Sequence, residues 1–375
     1  MKKTQLISIP IMVVFIICFN NVAEAKIWRV NNFSNYNGTT LFGDNLGGTS
    51  TFPVFAQLSD ANSSNLVSVN STDTIHLEGT NIPYNGVTLH KPMIIIGTGY
   101  FLNENPKVSN TVLESQVGYV NFYSGSDGSQ LIGIHLGSNS NPVVQINNIS
   151  NITIKRCRID FEVLVGAGNA NISFIQNYFS NSNIQSAIFV NSTAGFPSNF
   201  IFDNNICKSV LLLSLGTTVY NAEECNNNVF DCPALSGNPS IVMTTSSFKN
   251  NILKTAAATV NINSNVSSSN VSYNISSSAT GQFGTDNNNI VVTDMSTIFV
   301  NPATNSTDGD YQIAAGSVAN NTGSDGTDRG AFGGAAFGNR YTLSGLAPIP
   351  VIYDIATPDP TSTDLPVTIS ARTIK

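Results

Sequence analysis

The densest group of chemically reactive side chains in the sequence lies between positions 155 and 162. Lys155, Arg156 and Arg158 fall within four positions, and Asp160 and Glu162 follow directly. A cation beside a carboxylate can act as a general acid or base when its surroundings bring its pKa close to the working pH. A solvated outer face is the simpler interpretation of such a charge run, and we prefer it. The five residues are kept as catalytic candidates.

Four aspartates near the carboxyl end could bind a hard cation. Asp308, Asp310, Asp325 and Asp328 lie among Gly-rich turns, and carboxylates on such turns are typical Ca²⁺ ligands. Their spacing matches neither an EF-hand nor a nine-residue calcium repeat. We therefore prefer a role in turns, with calcium as the alternative and no other cofactor expected.

Hydrolysis of a glycosidic bond needs two carboxyl groups roughly 5–10 Å apart. In the repeat described below, Asp203 is followed one repeat later by Asn226. The neighbouring Glu223 and Glu224 should point to different sides of an extended strand. The sequence therefore predicts no carboxylate pair of this kind.

The catalytic candidates lie within a repeat built around one asparagine position. Short strand-like segments with this period and no helical pattern indicate a solenoid, here a right-handed parallel β-helix of the all-β class. Stacked amides at the repeated position should hydrogen-bond along the stacking axis, and Asn tolerates unusual backbone angles in turns. We expect Gly133 to take this position one repeat earlier. The repeated position holds Cys157, Asn177, Asn205, Asn228, Asn251 and Asn274, at spacings of 20, 28, 23, 23 and 23 residues.

Four further columns follow from this register. Alternation along a strand places the columns three before and two after the asparagine inward, and both are almost entirely apolar or Cys. The column directly after the asparagine should form an exposed aliphatic stripe that a partner or a covering loop would bury; rotation of the turn, which would bring it inward, is the alternative. The column three after the asparagine should be an exposed, charged outer face. In order, the columns are Ile154, Phe174, Phe202, Cys225, Phe248, Val271; Ile159, Phe179, Cys207, Phe230, Leu253, Ser276; Arg158, Tyr178, Ile206, Val229, Ile252, Ile275; and Asp160, Ser180, Lys208, Asp231, Lys254, Ser277.

The two ends of the chain differ from the repeat. Residues 1–25, with an apolar run after two lysines and a closing Ala23-Glu24-Ala25, resemble a signal peptide and predict a secreted or cell-surface protein. Residues 26–72 should form a first strand, a short helical turn and a cap over the open end of the solenoid, with Trp28 in the cap. Residues 73–340 are assigned to the β-helix and its closing segment. Residues 341–375 are a Pro-rich extended tail, too short for its own core.

Composition excludes some partners and one kind of site. The formal net charge is −7, and removal of two lysines and one glutamate with the signal would make it −8, which does not favour nucleic acid or an anionic membrane. The remaining cysteines fall in the repeat, where buried free thiols are preferred over disulfides. Zinc spacing is missing, since the chain has no CxxC and its three histidines are scattered. The cysteines in question are Cys157, Cys207, Cys225 and Cys232.

Two segments carry a resemblance to a known superfamily. Residues 73–105 read DTIHLEGTNIPYNGVTLHKPMIIIGTGYFLNEN, and residues 297–334 read TIFVNPATNSTDGDYQIAAGSVANNTGSDGTDRGAFGG. They resemble the first repeats and the exit segment of right-handed parallel β-helix proteins of the pectate-lyase-like superfamily, in particular uncharacterised exported proteins of Bacteroidetes-type bacteria. The resemblance implies the fold and a segment that closes the last repeat. Alternation also predicts that Ile75 and Leu77, Val87 and Leu89, and Ile94 and Ile96 face the same way.

The resemblance does not decide the activity, because one fold carries many functions. Its superfamily includes polysaccharide lyases, which use an Arg or Lys base and often calcium, and glycoside hydrolases. We expect a non-catalytic extracellular or cell-surface scaffold that binds glycan or protein. A polysaccharide-active enzyme is the alternative, and the oligomeric state is left open.

Overall fold

The fold is described from a computed structural model. The described residues are 26–33, 53–68, 73–106, 108, 112–137, 142–181, 186–190, 196–264, 270–278, 280–300, 306–335, 339–348, 350–356 and 368–373. The predicted signal peptide lies outside them. Strands dominate this part of the chain, which contains one α-helix, α1 (Leu58–Ser63).

Three long parallel sheets form the body. The first sheet contains β1 (Ile27–Val30), β2 (Val54–Phe55), β3 (Asp73–Leu77), β5 (Met93–Ile96), β8 (Gln130–Ile132), β11 (Ser150–Lys155), β14 (Ala170–Ile175) and β17 (Ser198–Asp203). The second contains β6 (Gln116–Val117), β9 (His135–Leu136), β12 (Arg158–Ile159), β15 (Tyr178–Phe179), β18 (Ile206–Cys207), β23 (Val229–Phe230), β26 (Ile252–Leu253), β29 (Ile275–Ser276) and β30 (Ile290–Val291). The third contains β4 (Val87–Leu89), β7 (Val120–Phe122), β10 (Val144–Ile146), β13 (Val163–Val165) and β16 (Ile188–Val190).

Later strands continue the first and third sheets. Single bridges, Ile201 to Glu224 and Ser186 to Val210, connect them to the body. The continuing strands are β19 (Leu211–Leu212), β22 (Asn221–Ala222), β24 (Ile241–Thr245), β25 (Phe248–Lys249), β27 (Val260–Ser264) and β28 (Val271–Ser272), while β20 (Ser214–Leu215) and β21 (Thr218–Val219) form a small antiparallel hairpin. From β5 to β18, each turn of chain adds one strand to each of the three sheets, so the predicted parallel β-helix is confirmed.

The core lies between the three sheets and follows the predicted inward columns. Phe174 pairs with Phe202 across β14 and β17, and Phe179 pairs with Cys207 across β15 and β18. These four side chains are buried in one continuous cluster. Because every repeat contributes a strand to each sheet, the core of one repeat is completed by its neighbours.

The asparagine ladder exists and is longer than predicted. The Asn205 backbone N–H donates to Asn228 Oδ1 at 2.9 Å, and Asn205 Nδ2 donates to Phe174 O at 2.9 Å. The same pattern links each ladder asparagine to the next, and Asn274 continues it to Asn289 at 2.9 Å, only 15 residues on. The ladder side chains are buried. Each therefore satisfies backbone groups that would otherwise be unpaired where the chain turns between the first and second sheets.

Two register predictions were wrong by one residue. The left-handed backbone angle falls on the residue before the ladder position, for example Asn204 with φ 54° and Asn250 with φ 58°, not on the ladder asparagine. Gly133, with φ 66°, belongs to that preceding column, because Ile132 pairs with Lys155. The ladder position of that repeat is therefore Ile134.

The prediction for β5 was also wrong, because it placed Ile94 and Ile96 on the same side as Ile75 and Leu77. Ile75 pairs with Ile95, so Met93 and Ile95 are inward and buried. Ile94 and Ile96 lie on the outer surface and are half-buried. A continuous apolar run carries no alternation that could fix its register.

At the amino-terminal end, β1 and β2 extend the first sheet, and Trp28 lies in the core cluster. Trp28 is buried against Phe55 at a ring-centroid distance of 5.9 Å, and its Nε1 donates to Asp73 Oδ2 at 2.8 Å. Helix α1 buries Leu58 and Ala61 beside it. Trp28 is thus a core residue of the cap.

The aliphatic stripe points outward and is covered by the chain's own exit segment. Ile206, Val229, Ile252 and Ile275 are buried in a second cluster, separate from the core. We call the described residues 295–300, 306–335 and 339–346 the covering segment; it contributes Met295, Ile298, Phe299, Tyr311, Ala319, Ala331 and Tyr341 to this cluster. The resemblance implied that this segment closes the last repeat; instead it lies along the outer surface of the second sheet.

The tail contains two short strands. β31 (Pro350–Ala356) and β32 (Thr368–Thr373) pair antiparallel, with an irregularity between Ile352 and Asp354. We call them the C-terminal hairpin. No helix in the described part of the chain is long and apolar enough to cross a membrane.

Candidate functional site

The five catalytic candidates lie within one turn of the solenoid, but on different sheets. Lys155 ends β11 on the outer side of the first sheet, whereas Arg158 and Asp160 lie on the outer side of the second. Arg156 occupies the turn between them, with φ 55°, and Glu162 precedes β13 of the third sheet. The structure therefore brings together only Arg158 and Asp160.

Arg156 is buried, although a solvated outer face was expected. Its Nε donates to Gln176 Oε1 at 2.7 Å and its Nη1 to Leu346 O at 3.0 Å. The covering segment reaches this corner of the solenoid and excludes solvent from the guanidinium. Burial lowers the pKa of Arg156. Arg156 therefore anchors the end of the covering segment.

Arg158 and Asp160 belong to a polar cluster on the second sheet. Asp160 Oδ2 lies 2.7 Å from His135 Nε2, and His135 Nδ1 lies 2.8 Å from Glu114 Oε2. Arg158 Nε donates to Asp160 Oδ1 at 2.7 Å, and Ser180 Oγ donates to the same atom at 2.5 Å. We call these five residues the His135 cluster.

The fold builds this cluster from three consecutive strands of the second sheet. His135 pairs with Arg158, which pairs with Tyr178. Gly137 makes room, because a Cβ built there would lie 2.7 Å from Asp160 Oδ2. The Arg158 guanidinium lies 4.7 Å from the centre of the Phe101 ring, and the Phe101 backbone N–H donates to Glu114 Oε1 at 2.6 Å.

Charge is balanced inside the cluster. Burial by itself lowers the pKa of His135, but hydrogen bonds to Asp160 and Glu114 outweigh burial and raise it. Burial raises the pKa of Asp160, yet the bonds from His135 and Ser180 dominate and lower it to about 2. An imidazole whose two nitrogens both face carboxylates is held in its doubly protonated form.

The His135 cluster is better suited to a structural role than to general acid–base catalysis. A general base needs a free lone pair within reach of its substrate and a pKa near the working pH. Neither nitrogen of His135 has a free lone pair, and Asp160 is too weak a base. The cluster instead fastens Glu114, and Phe101 through its backbone N–H, to the second sheet.

The four candidate calcium ligands do not converge. Asp308 is buried and accepts from Ser306 Oγ at 2.5 Å and Ser344 N at 2.6 Å. Asp325 accepts from the Thr327 N–H at 3.0 Å, and Asp328 accepts from Asn320 and Asn321 of its own turn. The described residues hold no group of three or more His, Cys, Asp or Glu that could bind a metal ion. Turn formation accounts for Asp325 and Asp328, and Asp308 joins two parts of the covering segment.

A carboxyl pair that the sequence did not predict lies on the first sheet. The Asp203 carboxyl, at the end of β17, lies against that of Glu224, which is diagonally across on the following turn of chain. Burial is the main cause that raises the pKa of Asp203 well above its ordinary value, and the Glu224 carboxyl adds to it. Two carboxyl groups in contact are much closer than the roughly 5–10 Å that separates glycosidase carboxylates.

The four cysteines are buried free thiols, with no disulfide among them. Burial raises the pKa of Cys157 and of Cys232 to about 12. Inert thiols of this kind pack as small apolar side chains.

On the outer surface of the third sheet, five uncharged side chains, one from each strand, form a row that was not predicted from the sequence. Thr88 pairs with Asn121, Asn121 with Gln145, Gln145 with Leu164, and Leu164 with Phe189. Phe189 is 41% exposed at one end, and Tyr123, 39% exposed, lies beside the other end. The alternation of β7, β10 and β16 was the available signal.

Comparison with protein-family models, with curated proteins and with solved structures found no match. The likeness to the pectate-lyase-like superfamily therefore rests on the two quoted sequence segments. The architecture agrees with it at the level of a parallel β-helix.

Proposed function

We propose that this protein is a non-catalytic extracellular or cell-surface scaffold that binds glycan or protein through the outer surface of its third sheet. The observation that supports it is the pair of exposed aromatic rings, Tyr123 and Phe189, at the two ends of one uncharged row. Large exposed aromatic side chains cost solvation free energy, and they are enriched where a partner binds.

The chemistry of the row suits an uncharged, hydroxyl-rich partner. Thr88, Asn121 and Gln145 carry hydroxyl and amide groups; Asn121 Oδ1 is buried, and the other groups can donate or accept hydrogen bonds. They are spaced by the strand separation of about 4.8 Å, so an extended chain can meet them in succession. Tyr123 lies 6.3 Å from the ring of His90, which gives the polar end of the row a two-ring platform.

The charge of the chain narrows the partner further. A net charge of −7 repels polyanions such as polyuronates at ordinary ionic strength. The five-residue outer row carries no charge of either sign. We therefore propose a neutral glycan as the first partner to test and an uncharged protein surface as the second.

Secretion is part of the proposal and rests on residues 1–25. The resemblance to exported pectate-lyase-like proteins supports the same location. The covered stripe of the second sheet no longer supports binding, since Ile206 to Ile275 already contact the covering segment.

A polysaccharide-active enzyme is the second candidate, and the Asp203–Glu224 pair favours it. Asp203 retains a proton to higher pH than an ordinary aspartate and could serve as a general acid. Such a mechanism would require the two carboxyls to separate when substrate binds.

The binding proposal is tested by retention on immobilised neutral glycans. Tyr123→Ala and Phe189→Ala should each weaken retention at least tenfold, because each removes one aromatic end of the row. Val318→Ala, which truncates a side chain 48% exposed on the covering segment, is the matched control and should bind normally. Retention that is equal in all three variants would exclude the third sheet as the binding surface.

A further inference from the structure

The Asp73 side chain is fully buried at the amino-terminal end of the solenoid, away from the His135 cluster and the third sheet. Its Oδ2 accepts from Trp28 Nε1 at 2.8 Å and from the Ser68 backbone N–H at 2.9 Å. Burying an ionised carboxylate is costly unless hydrogen-bond donors or a cation compensate. The donors around Asp73 therefore determine how stably this end of the chain folds.

A third donor to Asp73 is the backbone nitrogen of Lys26, which lies 3.0 Å from Asp73 Oδ1. Strand pairing holds it there. Ile27 of β1 pairs with Thr74 of β3, so Lys26 lies opposite Asp73, and the Thr74 N–H donates to Lys26 O at 2.8 Å. The position of this nitrogen is thus set by the sheet and not by a side-chain rotamer.

The same nitrogen belongs to the peptide bond at which the predicted signal peptide ends. Ala23-Glu24-Ala25 is the small-residue pattern after which signal peptidases cut, and Lys26 follows directly. Hydrolysis breaks the bond between the Ala25 carbonyl carbon and Lys26 N. The hydroxyl of water goes to the carbonyl and its proton to the nitrogen. The new carboxyl group then loses a proton, and the new α-amino group, with an ordinary pKa of about 8, gains one at neutral pH.

The charged groups already present leave this pairing favourable. Burial lowers the pKa of Lys91, and the charge of Asp73 opposes that effect. Lys91 Nζ donates to Ser64 O at 2.6 Å and to Val67 O at 3.2 Å. An ammonium group at Lys26 N would add a cation at hydrogen-bond distance from Asp73, and hydrogen bonds between charged groups are roughly twice as strong as neutral ones.

We propose that cleavage between Ala25 and Lys26 creates an α-ammonium group that pairs with the buried Asp73 carboxylate and completes the amino-terminal end of the solenoid. This inference rests on the exported location that is part of the proposed function. Before cleavage, the donor opposite Asp73 is a neutral amide, and after cleavage it is a cation at the same point. The solenoid is therefore more stable after processing than before it.

Amino-terminal sequencing of the full chain after export by a bacterial host tests where cleavage occurs. The mature protein should begin at Lys26. A mature protein that begins at any other residue would overturn the proposal, because its α-ammonium group would not lie opposite Asp73.

Thermal unfolding tests the pairing itself. The chain that begins at Lys26 is compared with its Nα-acetylated form and with a chain that retains Ala25. Both controls keep an N–H donor at position 26 but remove the charge from it, so each should unfold about 3 °C or more below the mature chain. With Asp73→Asn, the three forms should unfold within about 1 °C of one another. Equal midpoints in the three forms that retain Asp73 would overturn the proposal.

Reactivity of the amine gives a measurement that needs no change at Asp73. Only a deprotonated amine reacts with an N-hydroxysuccinimide ester, and a nearby carboxylate keeps the amine protonated. The α-amine of the mature chain should therefore be acylated at least about tenfold more slowly than that of the chain retaining Ala25. Equal acylation rates would contradict the pairing with Asp73. Retention on a neutral glycan should be the same for both chains, and its loss from both would contradict the binding proposal alone.

Discussion

The amide side chain of each ladder asparagine meets the hydrogen-bonding needs of two neighbouring turns of chain. Asn228 Oδ1 accepts from the backbone and side chain of Asn205, and Asn228 Nδ2 donates to Phe202 O at 2.8 Å. An isolated amide of this kind would be costly to bury, whereas a fully bonded stack is not. The ladder therefore fixes both the turn and the alignment of successive strands.

Asn228→Ala should destabilise the fold by about 3–5 kcal/mol, because it leaves Asn205 N–H and Phe202 O buried without partners. The free energy of unfolding from denaturant titration measures the loss. Asn261→Ala, at an exposed strand position, is the control and should cost less than about 0.5 kcal/mol. A ladder variant as stable as this control would show that the amide stack contributes little.

Asp308 makes stability depend on pH. Burial raises its pKa from 3.8 to about 6, so the folded state binds a proton more tightly than the unfolded chain does. Folding therefore favours the neutral acid. The penalty for burying the charge is absent below about pH 4, grows as pH rises and is complete above about pH 6.

Removing this titration should change the pH profile. The stability advantage of the native chain over Asp308→Asn should shrink by up to about 3 kcal/mol as pH rises from 4 to 7. Unfolding free energies of both proteins at matched pH values give this difference. A difference that stays constant across the range would contradict a raised pKa at Asp308.

At the scale of elements, the covering segment depends on close approach to the second sheet. Gly330 has φ 86°, and its N–H donates to Asn250 O at 2.7 Å. A methyl group at Gly330 would lie 2.8 Å from Ile252 Cδ1 and 3.1 Å from Val229 Cγ2. Gly326 has a similar φ of 76° with no atom within 4 Å of the same position.

These two glycines separate packing from backbone strain. Gly326→Ala should cost only the strain of a left-handed alanine, roughly 1 kcal/mol. Gly330→Ala should cost about 2 kcal/mol more, because the methyl pushes the segment away from the stripe. Hydrogen exchange of residues 306–334 should accelerate in the Gly330 variant alone. Equal exchange in both variants would mean that the segment is not packed as described.

The elements also show how far sequence reasoning reaches. The period at Asn177 and the inward columns follow from spacing and alternation, and the structure confirms them. Asn289 escapes this reasoning because its turn of chain is only 15 residues long. A second, exposed ladder of Asn151, Asn171 and Asn199 repeats the spacings of 20 and 28, so the sequence does contain its signal.

The contacts that make up the candidate sites were harder to predict. Asp203 contacts Glu224, which lies two residues out of register on the neighbouring turn of chain. An alignment of the repeats in columns compares only residues at the same position, so it does not show this contact. Glu114 joins His135 from the region before β6, where the repeat gives no register. Coverage of the stripe depends on packing between distant segments, which no local pattern encodes.

At the scale of the whole molecule, the three sheets have different surroundings. The aliphatic stripe of the second sheet is buried under the covering segment. Ion pairs on this sheet lie within the His135 cluster and between Lys254 and Asp231, at 3.0 Å. The first sheet carries half-buried isoleucines on its outer surface. The third sheet presents an uncharged row between two exposed rings. A scaffold that binds through its third sheet is the function this distribution supports.

The most direct test of this account is a turnover screen of the full chain on neutral glycans and polyuronates, with and without calcium. Unsaturated-product absorbance would report lyase activity, and reducing ends would report hydrolysis. We predict neither signal above the blank under any condition, with retention on a neutral glycan in the same preparation. Turnover that disappears in Asp203→Asn or in Arg158→Ala would contradict the account and place catalysis on the first or the second sheet.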